Sequence, residues 1–409
     1  MKSFIILLSI CFSGFVFAQN KSVLFLGNSY TGVNNLPLLV YEIALSQGDT
    51  LVYDSNTPGG HTFNLHRANP TTLAKISSRN WDYVVLQEQS QIPSLPEAIT
   101  GPDYSPPHAM ELNEIIKEND TCSKVVFYMT WGRKSGDASF CDEHPPVCTY
   151  EGMQGELRNA YLDMTIENDA RVAPVGMGWK TVIDDDPSIE LYSGDGSHPN
   201  INGSYLTACI MYATIYQKSP MDASYIASLD EDLAVYLQEK AHDIVFDSLA
   251  TWRIGLNDLT VGFDFTHTDL DYDFASNSEH ATSWEWLIDE STYMEENPSH
   301  SFDEPGIYDV TLTVYDGCDT LTETQTVTVG SAALLDVENK VKLYPNPANE
   351  TLYLQGFNNS NTVVNIYDLY GRTVGVYKIN SNGEIDLSTM SSGTYILNLG
   401  SQFYKFVKK

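Results

Sequence analysis

The chain has 409 residues and carries 54 Asp and Glu against 22 Lys and Arg, which gives a formal net charge of −32. Hydrophobic residues make up 42% and aromatic residues 11%, a globular rather than a disordered composition. This charge excludes nucleic acid as a partner, and an anionic membrane surface as well, because affinity for phosphate groups comes from Lys and Arg. The length favours two to three domains.

Residues 1–18 are typical of a secretory signal peptide. Lys2 provides a positive start, an apolar stretch runs from Phe4 to Val16, and Ala18 ends a small-residue cleavage site. About 13 apolar positions are too few to cross ~30 Å of hydrocarbon. No later segment is long and apolar enough to span a membrane. We therefore expect an exported protein with no membrane span.

Export permits disulfide bonds, and five cysteines follow the cleavage site. Cys141 and Cys148 bracket six residues of a polar loop and form a candidate disulfide. Cys209 lies in an apolar helical stretch, where a core thiol is expected. Cys and His do not occur at zinc-binding spacings, so neither a structural nor a catalytic zinc site is predicted.

Residues 19–257 alternate short Val-rich runs with longer helical stretches. The expected strands are 22–26, 83–86, 125–130 and 172–175, and the expected helices are 36–47, 108–119, 152–169, 201–217 and 229–249. This alternation predicts an α/β domain with a parallel sheet flanked by helices. In such sheets, ligands bind at the carboxyl ends of the strands.

The rest of the chain alternates with period two and shows no helical pattern. Residues 258–330 contain 17 acidic side chains and no Lys or Arg, and Gly306–Asp316 alternates cleanly. After a linker at 331–340, residues 341–409 repeat the β pattern in shorter strands. Two small all-β sandwich domains are therefore predicted after the α/β domain.

Two motifs at opposite ends of the α/β domain carry nucleophilic chemistry. Gly27-Asn28-Ser29 ends the first strand, where a serine projects from the carboxyl edge of the sheet, although a plain helix N-cap is the alternative. Asp195 and His198 lie three residues apart in a Gly-containing loop, and an Asp can hold a His in the tautomer that a general base needs. A surface loop is the alternative there, but together the motifs predict a Ser-His-Asp triad.

The two motifs resemble the first and last blocks of the SGNH hydrolases, also called GDSL-type esterases and lipases. The matching residues are Gly27-Asn28-Ser29-Tyr30, with Asn28 where Asp is commoner, and Asp195-Gly196-Ser197-His198. The resemblance extends over roughly residues 22–250. It implies that Ser29 is the nucleophile, His198 the general base and Asp195 the residue that orients it.

The same resemblance implies an oxyanion hole built from three donors. These are the backbone N–H groups of Ser29 and Gly60, with Gly59 as the alternative to Gly60, and the side-chain amide of Gln89. The family usually has Asn in its third block, so Gln89 presents the same donor one methylene further out. The other interpretation of Gln89 is a polar residue at a strand end.

Trp131 and Trp179 follow later strands on the same edge and are candidates for lining a substrate cleft, with packing at the rim as the alternative. Residues 132–150 form a long insertion there, of the kind that makes a lid or a substrate wall.

Residues 258–330 resemble a PKD-type Ig-like domain, on the segments Trp284-Glu285-Trp286 and Val310–Val314. PKD-type domains serve as spacers or glycan-associated modules in secreted enzymes. The run Asp269–Asp273 could hold a structural calcium ion through its oxygen ligands, and a solvated acidic strand is the alternative.

Residues 341–409 resemble the type A C-terminal sorting domain of the type IX secretion system. Leu343–Ala348, Ile366–Arg372 and the final Lys405–Lys408 carry this resemblance. It implies the type IX machinery as a partner, a bacterium of the Bacteroidota type as the source, and a secreted or cell-surface location.

The sequence thus predicts an exported serine ester hydrolase that needs no cofactor. Acylated polysaccharides are the expected substrates, because export and a PKD-type module favour them. Lipid or short-chain acyl esters are the alternative within the same enzyme class. A catalytically inactive surface protein that binds glycans or mediates adhesion is the alternative of another class.

Overall fold

The computed structural model describes residues 18–330, 342–355, 363–368, 373–380, 383–399 and 402–409. The chain divides into two compact units, Met1–Leu259 and Thr260–Lys409. Residues 1–17 of the expected signal peptide and the expected linker at 331–340 lie outside the described residues.

The N-terminal unit is built on a five-stranded parallel sheet with the strand order β2-β1-β3-β4-β5. Its strands are β1 (Asn20–Leu26), β2 (Thr50–Asn56), β3 (Tyr83–Leu86), β4 (Lys124–Tyr128) and β5 (Arg171–Ala173). All four residues of β3 are buried, as expected for a central strand that is covered on both faces. The predicted α/β architecture with a parallel sheet is confirmed.

Helices connect and follow these strands. The α-helices of residues 18–259 are α1 (Ser29–Gly32), α2 (Leu36–Ser46), α3 (Phe63–His66), α4 (Pro70–Ile76), α5 (Glu97–Thr100), α6 (Ser105–Asn119), α7 (Tyr150–Glu167), α8 (Val175–Asp185), α9 (Ile201–Tyr216) and α10 (Glu231–Phe246), and the 3₁₀ turns are Val33–Asn35, Ile92–Ser94, Gly101–Asp103 and Pro145–Cys148. Every side chain of α9 from Gly203 to Tyr216 is buried, which agrees with its apolar composition on all faces.

The strands and helices listed from the sequence include neither strand β2 nor helix α8, and they also lack the short helices α1, α3, α4 and α5. Strand β2 lies at the sheet edge and mixes polar with apolar residues, so it lacks the continuous apolar run of a central strand. Helix α8 begins at Val175, which the sequence assigned to a strand, and contains Gly176 and Gly178, which lower helix propensity. A Cβ at Gly176 would lie 2.0 Å from the carbonyl oxygen of Thr130, so close packing against the β4 end requires glycine there.

The C-terminal unit consists of antiparallel sheets, as predicted. Residues 263–329 form the sheets β10-β7-β6 and β12-β11-β8-β9. Their strands are β6 (Phe263–Thr268), β7 (Asp271–Ser276), β8 (Ser283–Ile288), β9 (Ser291–Tyr293), β10 (Ser299–Ser301), β11 (Gly306–Tyr315) and β12 (Thr320–Val329). The buried rings of Phe263 in β6 and Trp286 in β8 meet edge to face, with centroids 5.0 Å apart. These two strands belong to different sheets, so the contact lies in the core between them.

The described residues from 342 onward form two further sheets, β13-β14-β17 and β16-β15-β18-β19. Their strands are β13 (Lys342–Tyr344), β14 (Thr351–Gln355), β15 (Val363–Asp368), β16 (Thr373–Lys378), β17 (Glu384–Asp386), β18 (Gly393–Leu399) and β19 (Gln402–Lys408). Leu352, Ile366, Ile385, Leu397 and Phe406 belong to a hydrophobic core of this segment's own. This segment therefore has the buried apolar cluster that an independently folding module needs.

Candidate active site

Ser29 is the first residue of α1, directly after the carboxyl end of β1. Asn28 caps this helix, because its Oδ1 accepts the N–H of Tyr30 at 3.1 Å. The Nδ2 of the same buried amide donates to the carbonyl of His61 at 2.9 Å. An Asp carboxylate could cap the helix but could not donate to that carbonyl, which explains how Asn serves at this position.

Ser29, His198 and Asp195 form a continuous hydrogen-bonded chain. The Ser29 Oγ lies 2.9 Å from Nε2 of His198, and Nδ1 of His198 lies 2.6 Å from Oδ2 of Asp195. The hydrogen bond from His198 holds the pKa of the Asp195 carboxyl well below its usual range. An ionised carboxylate only accepts, so Nδ1 carries the proton and Nε2 is free to accept the Ser29 hydroxyl proton.

The second oxygen of Asp195 fixes the loop that carries the imidazole. Oδ1 accepts the backbone N–H of Ser197 at 3.0 Å and that of His198 at 2.9 Å, and it accepts the Ser193 hydroxyl at 2.9 Å. Gly196 adopts a φ of +66° in this turn, a conformation that favours glycine. The carboxylate therefore both orients the imidazole and holds the backbone of its own loop.

Trp131 and Trp179 do not line a substrate cleft, which corrects the expectation from the sequence, since both side chains are 0% exposed. Their indole rings stack with centroids 3.7 Å apart, and Trp131 also stacks on Tyr30 at 4.7 Å. The Tyr30 ring meets the His198 imidazole edge-on at 5.4 Å, and Nε1 of Trp131 donates to the Ser197 carbonyl at 3.0 Å. The two tryptophans face inward and support the loop of the triad.

The segment after β2 brings Gly59 and Gly60 into a tight turn, in which the His61 N–H donates to the Pro58 carbonyl at 3.3 Å. Gly60 has a φ of +68°, whereas Gly59 does not have a positive φ. Within the described residues, the N–H groups of Ser29 and Gly60 have no hydrogen-bond acceptor. Ser29 follows β1 and Gly60 follows β2. These two strands are neighbours in the sheet, so both donors lie at the same edge of it.

Gln89 follows β3 at this edge, and its neighbours fix the orientation of its carboxamide. Oε1 of Gln89 accepts the N–H of Gln91 at 2.9 Å. The side-chain oxygen of Gln91 accepts from Arg133, whose guanidinium also donates to the buried carboxylate of Asp137 at 3.2 Å. The carboxamide oxygen of Gln89 already accepts the Gln91 N–H, so the Nε2 amino group is the part of this side chain that can donate to a ligand. Among the described residues, Nε2 has no acceptor.

Two buried side chains that the sequence analysis did not single out for the site hold the turn before Ser29. Oε1 of Gln87 accepts the N–H of Asn28 and the Thr31 hydroxyl, each at 2.9 Å. Nε2 of His66 donates to the Gly27 carbonyl at 2.8 Å, and burial lowers the pKa of His66 to about 4, which keeps the ring neutral. The signal in the sequence that pointed to Gln87 was an apolar strand that runs directly into the polar triplet 87–89.

The insertion after β4 packs against the triad loop. Cys141 and Cys148 are joined in the candidate disulfide, with their Cα atoms 4.7 Å apart, and the Cys209 thiol is buried and free. The N–H of Lys134 donates to the Gly196 carbonyl at 2.9 Å. The insertion therefore supports the backbone next to His198.

Other kinds of site find less support in the part of the chain that is described. No group of three or more His, Cys, Asp or Glu is arranged there to hold a metal ion. Asp271 and Asp273 accept the hydroxyls of Ser301 and Ser299 respectively, and calcium binding by this run stays a prediction. None of the helices described has the length and apolar character of a membrane span. A cavity of about 460 Å³ between the 92–96 segment, α6 and α7 is not lined by any residue of the triad.

Family models match the C-terminal part of the chain. Residues 261–330 match the PKD domain, and residues 342–409 match the secretion system C-terminal sorting domain. The chain therefore carries a PKD domain followed by a segment that matches a secretion-system sorting domain. No curated protein matches the sequence.

Several solved structures are similar to the N-terminal unit. A DUF4886 family protein from Bacteroides uniformis is 16% identical, covers 56% of this chain and 95% of its own, and has a TM-score of 0.47. A proposed SGNH hydrolase from Slackia heliotrinireducens is 25% identical over 48% of this chain and 99% of its own, with a TM-score of 0.39. An acetyl-xylooligosaccharide esterase from Geobacillus is 12% identical over 48% and 95%, with a TM-score of 0.36.

Proposed function

We propose that this protein is an exported serine ester hydrolase of the SGNH type that removes O-acyl groups from extracellular polysaccharides. The observation that carries the proposal is the hydrogen-bonded chain from the Ser29 hydroxyl through the His198 imidazole to the Asp195 carboxylate. A nucleophile, a base and a residue that orients the base are the components that acyl transfer requires.

In the first half of the reaction, Oγ of Ser29 attacks the ester carbonyl carbon while Nε2 of His198 takes the hydroxyl proton. The carbonyl oxygen becomes an oxyanion, and the Asp195 carboxylate stabilises the imidazolium. When the tetrahedral intermediate collapses, the bond to the alcohol breaks and His198 gives its proton to the leaving oxygen. An acyl group remains on Ser29.

In the second half, a water molecule attacks the acyl carbon and gives a proton to His198. Collapse of this second intermediate releases the carboxylic acid, and the proton returns to Oγ of Ser29. The N–H groups of Ser29 and Gly60 and the amide of Gln89 are the proposed donors to both oxyanions. Donors that are fixed before the reaction stabilise the developing charge without reorganisation.

We expect Gln89→Ala to lower kcat by about 10²–10³-fold, or about 2.7–4 kcal/mol, with little change in KM. The reason is that a donor to the oxyanion gains strength only as charge develops in the transition state. Steady-state kinetics on a chromogenic acetyl ester measures both constants. Gln89→Asn tests whether a donor one methylene shorter still reaches.

Gln47→Ala is the matched control for Gln89→Ala. Gln47 follows α2, and its amide donates to the carbonyl of Met221 at 2.8 Å, away from the carboxyl edge of the sheet. We expect this variant to keep the wild-type kcat. If Gln89→Ala stays within about threefold of wild type, backbone donors alone form the oxyanion hole.

Export and the adjacent PKD domain support a polysaccharide substrate. Acetate release from acetylated xylan, compared with hydrolysis of short-chain and long-chain acyl esters, separates the substrate classes. A kcat/KM highest on the acetylated polysaccharide supports the proposal, and a preference for long acyl chains indicates a lipid esterase. A folded protein that fails to hydrolyse any ester and is not labelled by a fluorophosphonate at Ser29 contradicts the enzyme assignment.

We propose that the sorting domain directs the protein through the type IX system to the cell surface or the medium. Deletion of residues 341–409 is then expected to leave a folded, active esterase in the periplasm, because this segment has a hydrophobic core of its own. Cell fractionation followed by an esterase assay measures the location. Unchanged surface display of the truncated protein would contradict the sorting role.

A further inference from the structure

Glu88 connects two segments that carry proposed oxyanion-hole donors, the segment of Gly60 and the segment of Gln89. Its Oε1 accepts the backbone N–H of Phe63 at 2.9 Å and that of Gln89 at 2.6 Å. Phe63 begins α3, three residues after Gly60, and Gln89 is the proposed side-chain donor. A single carboxyl oxygen thus links the segment after β2 to the segment after β3.

The carboxyl group of Glu88 is completely enclosed by protein. The residue is 0% exposed, and its Oε2 has no hydrogen-bond partner among the described residues. The titratable groups of the described chain that face it are Asp103 and Tyr161, neither of which brings a positive charge, and the Ser105 hydroxyl lies beside it. Burial raises the pKa of Glu88 to about 8, so the carboxyl is mainly neutral at pH 7.

A neutral carboxyl suits this position. Its carbonyl oxygen accepts two N–H bonds, and the enclosed Oε2 can carry the proton in place of an unpaired negative charge. A negative charge close to the oxyanion hole would also oppose the charge that develops on the substrate oxygen. Ionisation of Glu88 would therefore disturb both the link between the segments and the electrostatics of the hole.

We infer that Glu88 is a positioning residue, whose neutral carboxyl holds the segments of Gly60 and Gln89 in the arrangement that the oxyanion requires. The inference rests on the proposed esterase function. It assigns Glu88 no contact with substrate, and its effect on the reaction passes through the two backbone N–H groups that it binds.

Glu88→Ala and Glu88→Gln test the inference in the full-length protein. We expect Glu88→Ala to lower kcat by about 10²-fold with KM nearly unchanged, because small displacements of catalytic donors are costly. Glu88→Gln keeps an acceptor for both N–H groups and is always neutral, so it should retain kcat within about threefold at pH 7. Wild-type kcat should decline above pH 8, whereas the Gln variant should keep its rate there.

Stability gives an independent readout. The unfolded chain loses the Glu88 proton near pH 4.5, while the folded protein keeps it to about pH 8. The folded state binds the extra proton between these values, so stability falls as pH rises through this range. The denaturant midpoint of wild type should therefore decline between pH 5 and 8 more steeply than that of Glu88→Gln.

Asp49→Asn is the matched control, since Asp49 is also fully buried and accepts a backbone N–H, from Gln19 at 2.6 Å, at the amino end of the sheet. It should change stability without lowering kcat. Equal kcat in wild type and folded Glu88→Ala, or an alkaline decline that persists in Glu88→Gln, would overturn the inference. Wild-type protein without esterase activity or Ser29 labelling would instead contradict the proposed function itself.

Discussion

Replacement of Ser29 by Ala is expected to lower kcat on a chromogenic acetyl ester by about 10⁶-fold, the loss typical when a triad nucleophile is removed. The variant should also fail to react with a fluorophosphonate probe. Its fold should be unchanged, because the substitution removes only the hydroxyl of a partly buried residue, whose described hydrogen bond goes to His198. Kinetics, probe labelling and a thermal melt measure the three expectations.

Ser188→Ala is a suitable control for Ser29→Ala. Ser188 is a loop serine whose hydroxyl also makes one hydrogen bond, to Asp186 at 2.6 Å. Its replacement should leave both turnover and labelling at the wild-type level. Turnover that persists in a folded Ser29→Ala protein would remove Ser29 as the nucleophile and leave the role of His198 unexplained.

Asp195→Asn is expected to lower kcat by about 10⁴-fold while the loop keeps its geometry. The amide can turn its amino group toward Nδ1 of His198, which moves the ring proton to Nε2. In that tautomer the imidazole cannot accept the Ser29 proton, and no carboxylate stabilises the imidazolium. Steady-state kinetics and a crystal structure of the variant separate the tautomer effect from a displaced loop.

Asp186→Asn provides the comparison for the Asp195 variant. Asp186 accepts the Ser188 N–H at 3.0 Å and its hydroxyl, a local geometry like that of Asp195, but it has no described bond to a histidine. We expect its kcat to stay within about twofold of wild type. A decrease of less than tenfold in Asp195→Asn would mean that another group orients His198.

The proximity of Ser29, His198 and Asp195 could be predicted from the sequence because these residues lie in two short motifs. Each motif follows from local chemistry: a polar turn after an apolar strand, and an Asp three residues before a His. The supports of the nucleophile could not be predicted in this way. Gln87 contacts Asn28 across 59 positions and His66 contacts Gly27 across 39, and only the folded sheet brings them together.

The errors about Trp131 and Trp179 have a related cause. The sequence places both residues after strands and therefore near the active edge, but it does not indicate whether a side chain faces solvent or the interior. Tertiary packing decides which way each side chain faces, and here the stack of Tyr30, Trp131 and Trp179 places both indoles in the interior. For strand β2, the missing signal was continuous burial, because an edge strand is exposed on part of its surface.

The stacked indoles of Trp131 and Trp179 also give the enzyme a spectroscopic reporter. Parallel rings 3.7 Å apart, at an interplanar angle of 2°, have coupled electronic transitions and should contribute a near-ultraviolet circular dichroism band. Such bands depend on fixed tertiary packing. Since Trp131 also binds the backbone of the His198 loop, loss of the band would report the collapse of the catalytic arrangement without any substrate or label.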